Sequence, residues 1–235
     1  MAKPENYINL GRPQNMAGVL AECERMLSEG VKDPKNTAIG GEFDGRYLFP
    51  GLSSEFAVAE AFAPVECLRA KPGSGYDLLV RDPRKDLRVE IKSVTGFGGT
   101  PDPDDHVFID YSKVWGARGL DVIGWDYILF TRTNFRKLYD YQRDGRPLIS
   151  LREEWEFIRT KQGIEEQWNR QAAELQGVLV LGLLTADRFR ELIAAGPSGG
   201  VIRLKEGEYG MRSQGKTKPA RGDSYHVPIN LLDPA

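Results

Sequence analysis

Apolar residues recur at helical spacing between Met16 and Leu27, at Met16, Val19, Leu20, Cys23 and Leu27, and Gly30 supplies a stop. A polar, Gly-rich loop from Asn36 to Gly45 separates this helix from a short apolar run, Tyr47 to Phe49, and from Pro50-Gly51. Ser53 or Ser54 can then cap a second helix from about Glu55 to Phe62, closed by Pro64. Beyond it the pattern shortens to strand length. Val65–Arg69, Tyr76–Val80 and Leu87–Val94 read as three strands joined by turn formers, Lys71-Pro72-Gly73-Ser74-Gly75 and Asp82-Pro83-Arg84-Lys85-Asp86. The expectation is a helix feeding an antiparallel meander.

After a long loop, Gly96 to Asp105, Tyr127–Thr131 is a strand candidate and Leu151–Leu175 a polar helical region. Val178–Leu184 reads as a buried strand, and Ala186–Ala195 as a helix ending at Gly196-Pro197. Helices and strands mix without an internal repeat, so the class is α/β or α+β. At 235 residues with 40% hydrophobic content, one sizeable core suffices, and we take residues 1–235 as a single domain. The 26 Gly and 14 Pro imply many turns and short elements.

Composition narrows the function by exclusion. Cys23 and Cys67 have no CxxC spacing and no His neighbours, which argues against a zinc site or a disulfide framework and for free thiols in a reducing compartment. The N-terminus carries no apolar leader segment and no later run approaches a bilayer span, so the expectation is a cytoplasmic, soluble protein without a membrane partner. Net charge is −2, which neither favours nor forbids nucleic acid; Arg203 to Arg221 holds six Lys or Arg against two Glu and is locally basic.

The chemistry concentrates in Leu87-Arg88-Val89-Glu90-Ile91-Lys92-Ser93-Val94. Strand alternation puts Arg88, Glu90 and Lys92 on one face and Leu87, Val89 and Ile91 on the other. If the turn at Pro83 and Arg84 closes a hairpin, Asp77 falls opposite Glu90 to within about a residue of register. Two carboxylates and an ammonium then meet. Paired acidic oxygens suit Mg²⁺, with Mn²⁺ as substitute, since such a cation takes one or two carboxylates and keeps several waters. A metal-activated water beside a lysine is chemistry for phosphodiester hydrolysis.

Gly75-Tyr76-Asp77-Leu78-Leu79-Val80, followed 13 residues after Asp77 by Glu90-Ile91-Lys92, resembles the D-x(n)-(D/E)-x-K signature of the PD-(D/E)XK nuclease superfamily, the restriction-endonuclease-like proteins. Upstream, Gly51-Leu52-Ser53-Ser54-Glu55-Phe56-Ala57-Val58-Ala59-Glu60 resembles that superfamily's first core helix. The likeness covers about Gly51 to Ser93, and Tyr76 stands where the family name has Pro. It implies an α-β-β-β-α-β core over about residues 46–132, a mixed sheet flanked by helices, with N- and C-terminal elaborations, the latter over about 150–235. It further implies a Mg²⁺-dependent endonuclease acting on DNA, double-stranded first, and it leaves room for a homodimer. By resemblance, Asp77, Glu90 and the Ile91 carbonyl hold the metal, Lys92 positions the attacking water, and Glu55 joins the metal site directly or through water, with Glu60 as the alternative helix carboxylate. Lys216, Lys218 and Arg221 are the candidate phosphate contacts, on a flexible basic arm. The rival readings are a non-catalytic DNA-binding module of the same fold and, more remotely, a nucleotide-dependent enzyme.

Three further matches carry less. Gly210 to Thr217 fits the P-loop pattern by letter, but Lys205-Glu206-Gly207-Glu208 is no buried strand and Pro219 and Gly222 break any helix behind it. Gly196-Pro197-Ser198-Gly199-Gly200 follows a helix, where a nucleophile elbow follows a strand, and only His106 and His226 exist to serve a nucleophile. Asp102, Asp104 and Asp105 lack EF-hand spacing and read as a solvated loop.

Overall fold

The computed structural model describes residues 7–29, 48–71, 74–96, 101–102, 104–115, 121–136, 160–213, 216–220 and 222–234. The fold is mixed α/β. In chain order it comprises β1 (Ile8–Gly11), α1 (Met16–Ser28), α2 (Leu48–Ala61), β2 (Cys67–Arg69), β3 (Leu78–Val80), β4 (Leu87–Gly96), β5 (His106–Asp110), β6 (Tyr127–Phe135), α3 (Lys161–Glu174), β7 (Leu175–Thr185), α4 (Ala186–Ala194), β8 (Ile202–Leu204), β9 (Tyr209–Ser213), β10 (Lys216–Pro219) and β11 (Ser224–Pro228). A six-stranded sheet runs in the order β1-β7-β6-β4-β3-β2, a second sheet in the order β5-β11-β8, and β9 pairs with β10.

The expected meander forms: β2, β3 and β4 pair antiparallel, with Leu78 opposite Val89. Beyond it β4 runs parallel to β6, from Val89 opposite Tyr127 to Gly96 opposite Asn134. A parallel pair needs a long crossover, and its described part contains β5 and a 3-10 turn, Tyr111–Lys113, where a helix was expected. β4 also outlasts its antiparallel partner, because β3 ends its pairing at Val89. Among the described residues, no strand pairs with the edge of β4 that faces β3 beyond Val89.

Both faces of the large sheet are covered, which is why β6 and β7 are apolar on both sides. On one face α2 packs Val58 against Leu78, Val80, Val89, Ile91, Leu129 and Val180. Farther out, α1 and α3 close a second apolar cluster around Cys23, Phe49, Phe135 and Trp168. On the opposite face, Ile128, Phe130, Leu181 and Leu184 meet Val107, Ile109, Trp125, Phe189 and Val227 from the crossover, α4 and the second sheet. A bulge lets β7 serve both layers. Phe130 pairs with Gly182 and Thr131 with Val180, so Leu181 is the extra residue and the alternation is reset. Gly182 is required there because a Cβ would come within 2.6 Å of the Leu232 Cβ, where the C-terminal segment straps across β7 and Asp233 exchanges both main-chain bonds with Leu183.

Several boundaries depart from expectation. α2 begins at Leu48 rather than after Ser53, since Pro50 sits in the first turn, where its missing N–H costs no bond. Ser53 and Ser54 are therefore buried inside the helix and do not cap it. α3 gives way to strand at Leu175, and residues 151–159 of its expected range lie outside the described residues. Tyr209–Ser213 and Lys216–Pro219 pair as β9 and β10 instead of forming a flexible arm, which also removes the strand-loop-helix context a P-loop needs. The Asn36–Gly45 loop lies outside the described residues. Among the described residues no helix is long and apolar enough to cross a membrane.

Candidate functional site

The candidate residues gather where β3 ends against β4. Continuing the Leu78–Val89 pairing outward by one residue brings Asp77 opposite Glu90. The Asp77 N–H donates to the Val89 carbonyl at 2.9 Å, and its Oδ2 accepts from the Ile91 N–H at 2.7 Å. This carboxylate takes over the ladder bond that β3 no longer provides. The N–H and C=O of one strand residue leave toward the same edge, so the Ile91 carbonyl also faces that edge beside Asp77.

Glu90 points to the opposite face from Ile91, into the junction between the two sheets, and is 1% exposed. A buried carboxylate requires partners, and it has two ammonium groups. Lys92 Nζ lies 2.9 Å from Glu90 Oε1; Lys113 Nζ lies 3.1 Å from the same oxygen and 3.4 Å from Oε2. Lys92 also stands 3.7 Å from Asp110 Oδ2. Burial lowers the Lys92 pKa, but Glu90, Asp110 and Asp77 outweigh it and leave the group above its ordinary value, hence a cation. Behind the strand, the buried Thr131 hydroxyl donates to the Lys92 carbonyl at 3.3 Å, tying β4 to β6.

Glu55 reaches the same region from α2, and its Oε2 accepts from Arg69 Nε at 3.0 Å and Nη2 at 2.9 Å. Arg69 in turn binds Glu22 of α1 at 2.7 Å. Burial and then the Asp77 charge push the Glu55 carboxyl up to about 7, with Arg69 opposing. Burial and then Glu90 push Asp77 up to about 6, with the Ile91 N–H opposing. Glu55 and Asp77 are thus both made harder to ionise by burial and by a neighbouring carboxylate, Asp77 in the first case and Glu90 in the second. Glu60, the alternative helix residue, faces elsewhere: its two oxygens accept from the Gln14 and Asn15 N–H groups at 2.8 and 3.0 Å, fixing the entry to α1. Ser54 Oγ donates to Ser93 Oγ at 3.0 Å and holds α2 against β4 beside the site.

The donor set of carboxylates and a main-chain carbonyl, without His or Cys, fits a hard divalent cation that binds through oxygen. Among the described residues no three His, Cys, Asp or Glu side chains already close into a metal cluster. Glu90 would have to yield part of its lysine contact to take a cation.

Asp110 and Lys113 were not anticipated from the sequence. They enter because β5 pairs with β11, with Asp110 opposite Ser224, and because the 3-10 turn after β5 carries Lys113 back over Glu90. The basic stretch is distributed differently. Lys216 is exposed on β10 opposite Ser213, Lys218 is half-buried opposite Met211, and Arg221 lies outside the described residues. Arg212 on β9 is 3.5 Å from Asp102, and its N–H donates to His106 Nδ1 at 3.3 Å, which docks β9 on β5. No family model matches the chain, and no curated protein or solved structure matches it.

Proposed function

We propose that the protein is a Mg²⁺-dependent endonuclease that hydrolyses DNA phosphodiester bonds, built on a restriction-endonuclease-like core of the PD-(D/E)XK type. The observation that carries this reading is the convergence of Asp77, Glu90 and Lys92 where β4 runs past β3, with the Ile91 main chain held against Asp77. Asp77, Glu90 and the Ile91 carbonyl are the groups to hold the cation. A divalent ion held there supplies Lewis acidity, which lowers the pKa of water and offsets charge growing on a phosphoryl oxygen.

The chain's own groups do the rest. Lys92, a cation fixed between Glu90 and Asp110, stands ready to orient the water that attacks phosphorus and to offset charge in the transition state. Glu55 supports the site from α2, held in place by Arg69. The water adds to phosphorus as the bond to the leaving sugar oxygen breaks, and the proton it loses needs an acceptor. The acceptor must be a carboxylate that is not bound directly to the cation, and Glu55, held by Arg69, is the one to serve if it supports the site through water.

The test is incubation of the purified protein with plasmid and mixed oligonucleotides under Mg²⁺, Mn²⁺, Zn²⁺ or EDTA. Cleavage with Mg²⁺ or Mn²⁺ and none with EDTA is expected. Discrete fragments identify a restriction-type enzyme, a smear a non-specific nuclease, and cutting confined to junctions a resolvase. DNA binding without cleavage under any cation would replace this reading with the non-catalytic module.

A further inference from the structure

We propose that Lys113 is a phosphate-holding residue of this site, parked on Glu90 until a cation arrives; the inference rests on the nuclease reading above. Lys92 and Lys113 both address Glu90 Oε1, at 2.9 and 3.1 Å, and Lys113 also approaches Oε2 at 3.4 Å. One buried carboxylate therefore carries two ammonium charges, more than its own charge balances. The excess is met by the neighbours: Asp77, whose charge acts on both lysines' surroundings, and Asp110 beside Lys92. Without a cation, this cluster of acids and lysines is close to neutral and stable as it stands.

A divalent ion bound through Asp77 and Glu90 upsets that balance. It needs a Glu90 oxygen and brings two further positive charges within a few ångströms of both ammoniums. One lysine must give way, and the geometry points to Lys113. Lys92 is anchored by Asp110 as well as Glu90 and is 21% exposed, whereas Lys113 contacts Glu90 across longer distances and is 32% exposed. It also sits on a three-residue 3-10 turn rather than inside a ten-residue strand, so its side chain can swing without disturbing a ladder. Released, its ammonium stays beside the carboxylates, on the more open side from which a phosphate approaches. A cationic group there binds a non-bridging phosphoryl oxygen, replacing the charge pairing it lost on Glu90. The turn that carries Lys113 is braced at Tyr111, whose ring stacks on Tyr225 at 5.8 Å and lies under the Arg203 guanidinium at 4.1 Å.

The experiment compares wild type with Lys113→Met and Lys113→Arg in the full chain, after melting curves establish that all three fold. Mn²⁺ binding is measured by electron paramagnetic resonance without DNA, and the affinity for a DNA duplex is measured in Ca²⁺ across a salt series. Lys113→Met is expected to bind Mn²⁺ as tightly as wild type or several-fold more tightly, because a competing charge is gone. It is expected to bind duplex about tenfold more weakly, with the slope of log K on log salt shallower by about one. Lys113→Arg should recover most of the duplex affinity. Weaker Mn²⁺ binding by Lys113→Met with unchanged duplex affinity and slope would overturn the proposal and leave Lys113 a clamp that orders Glu90. Wild type that binds neither Mn²⁺ nor duplex would instead remove the nuclease reading, and this inference with it.

Discussion

Two carboxylate clusters lie along the same face of β4, two residues apart, and they are built in opposite ways. At Arg88 the partner is Asp126, whose oxygens accept from the Arg88 main chain at 2.9 Å, from its guanidinium at 3.1 and 3.2 Å and from Lys85 at 2.9 Å. Hydrogen bonds from Arg88 hold this carboxyl well below the usual range, although burial opposes them. At Glu90 the neighbouring carboxylates are pushed the other way, Asp77 by burial and then by Glu90, and Glu55 by burial and then by Asp77. A carboxylate saturated with donors at the rim is a staple. Carboxylates crowded together out of water ionise at a cost that nearby positive charge offsets, and Lys92 and Lys113 supply that charge beside Asp77.

The contrast is broken most sharply by mutation. Asp77→Asn, Glu90→Gln and Lys92→Ala should each lower single-turnover DNA cleavage by about a hundredfold or more while far-UV circular dichroism stays native. Wild-type rates in Asp77→Asn would end the assignment. Asp126→Ala should do the reverse: it leaves Arg88 and Lys85 without their acceptor and costs about 1–3 kcal/mol in urea unfolding, with cleavage per folded molecule unchanged.

The pH dependence of the metal-free protein sharpens the same contrast. Asp77 and Glu55 sit higher in the folded chain, at about 6 and about 7, than their ordinary 3.8 and 4.5. The unfolded chain therefore loses these protons first, so stability tied to them is complete below about pH 4 and is lost as pH rises toward about 7. In EDTA, Glu55→Gln should become more stable relative to wild type between about pH 5 and pH 8. A stability difference that does not change with pH would show that burial at Glu55 is relieved by water. The smallest effect belongs to β10. Lys216→Ala with Lys218→Ala should weaken binding to all duplex sequences alike and flatten the salt slope by up to about two units. An unchanged slope would move the backbone contacts elsewhere.

The meander, and with it the approach of Asp77 to Glu90 at the end of the β3–β4 ladder, was legible because period-two alternation and turn formers are local signals, and a hairpin converts them directly into register. The α2 start was misread for a local reason: Pro50-Gly51 looks like a turn, yet proline in the first helical turn is compatible with the helix. Asp110 and Lys113 were not legible at all. β5 is a five-residue strand whose partner, β11, lies near the other end of the chain, so no window of sequence around Asp110 shows what it faces. The same holds for β9 and β10, whose Gly and Lys content reads as loop although they pair antiparallel and dock on His106. Signals carried by contact between distant segments leave no periodicity to read.

The C-terminal strap on β7 has a bearing on solubility. Among the described residues β1 covers β7 at Val178 to Val180, and past that point the strand would present main-chain donors and acceptors flanked by Leu181, Leu183 and Leu184, an adhesive rim for other chains. Asp233 occupies that rim by exchanging both main-chain bonds with Leu183, and the side-chain-free Gly182 lets Leu232 lie close enough to do so. A side chain at residue 182 would lift the strap, and the protein would then clump on mild heating through strand-to-strand association between copies, well before its core melts.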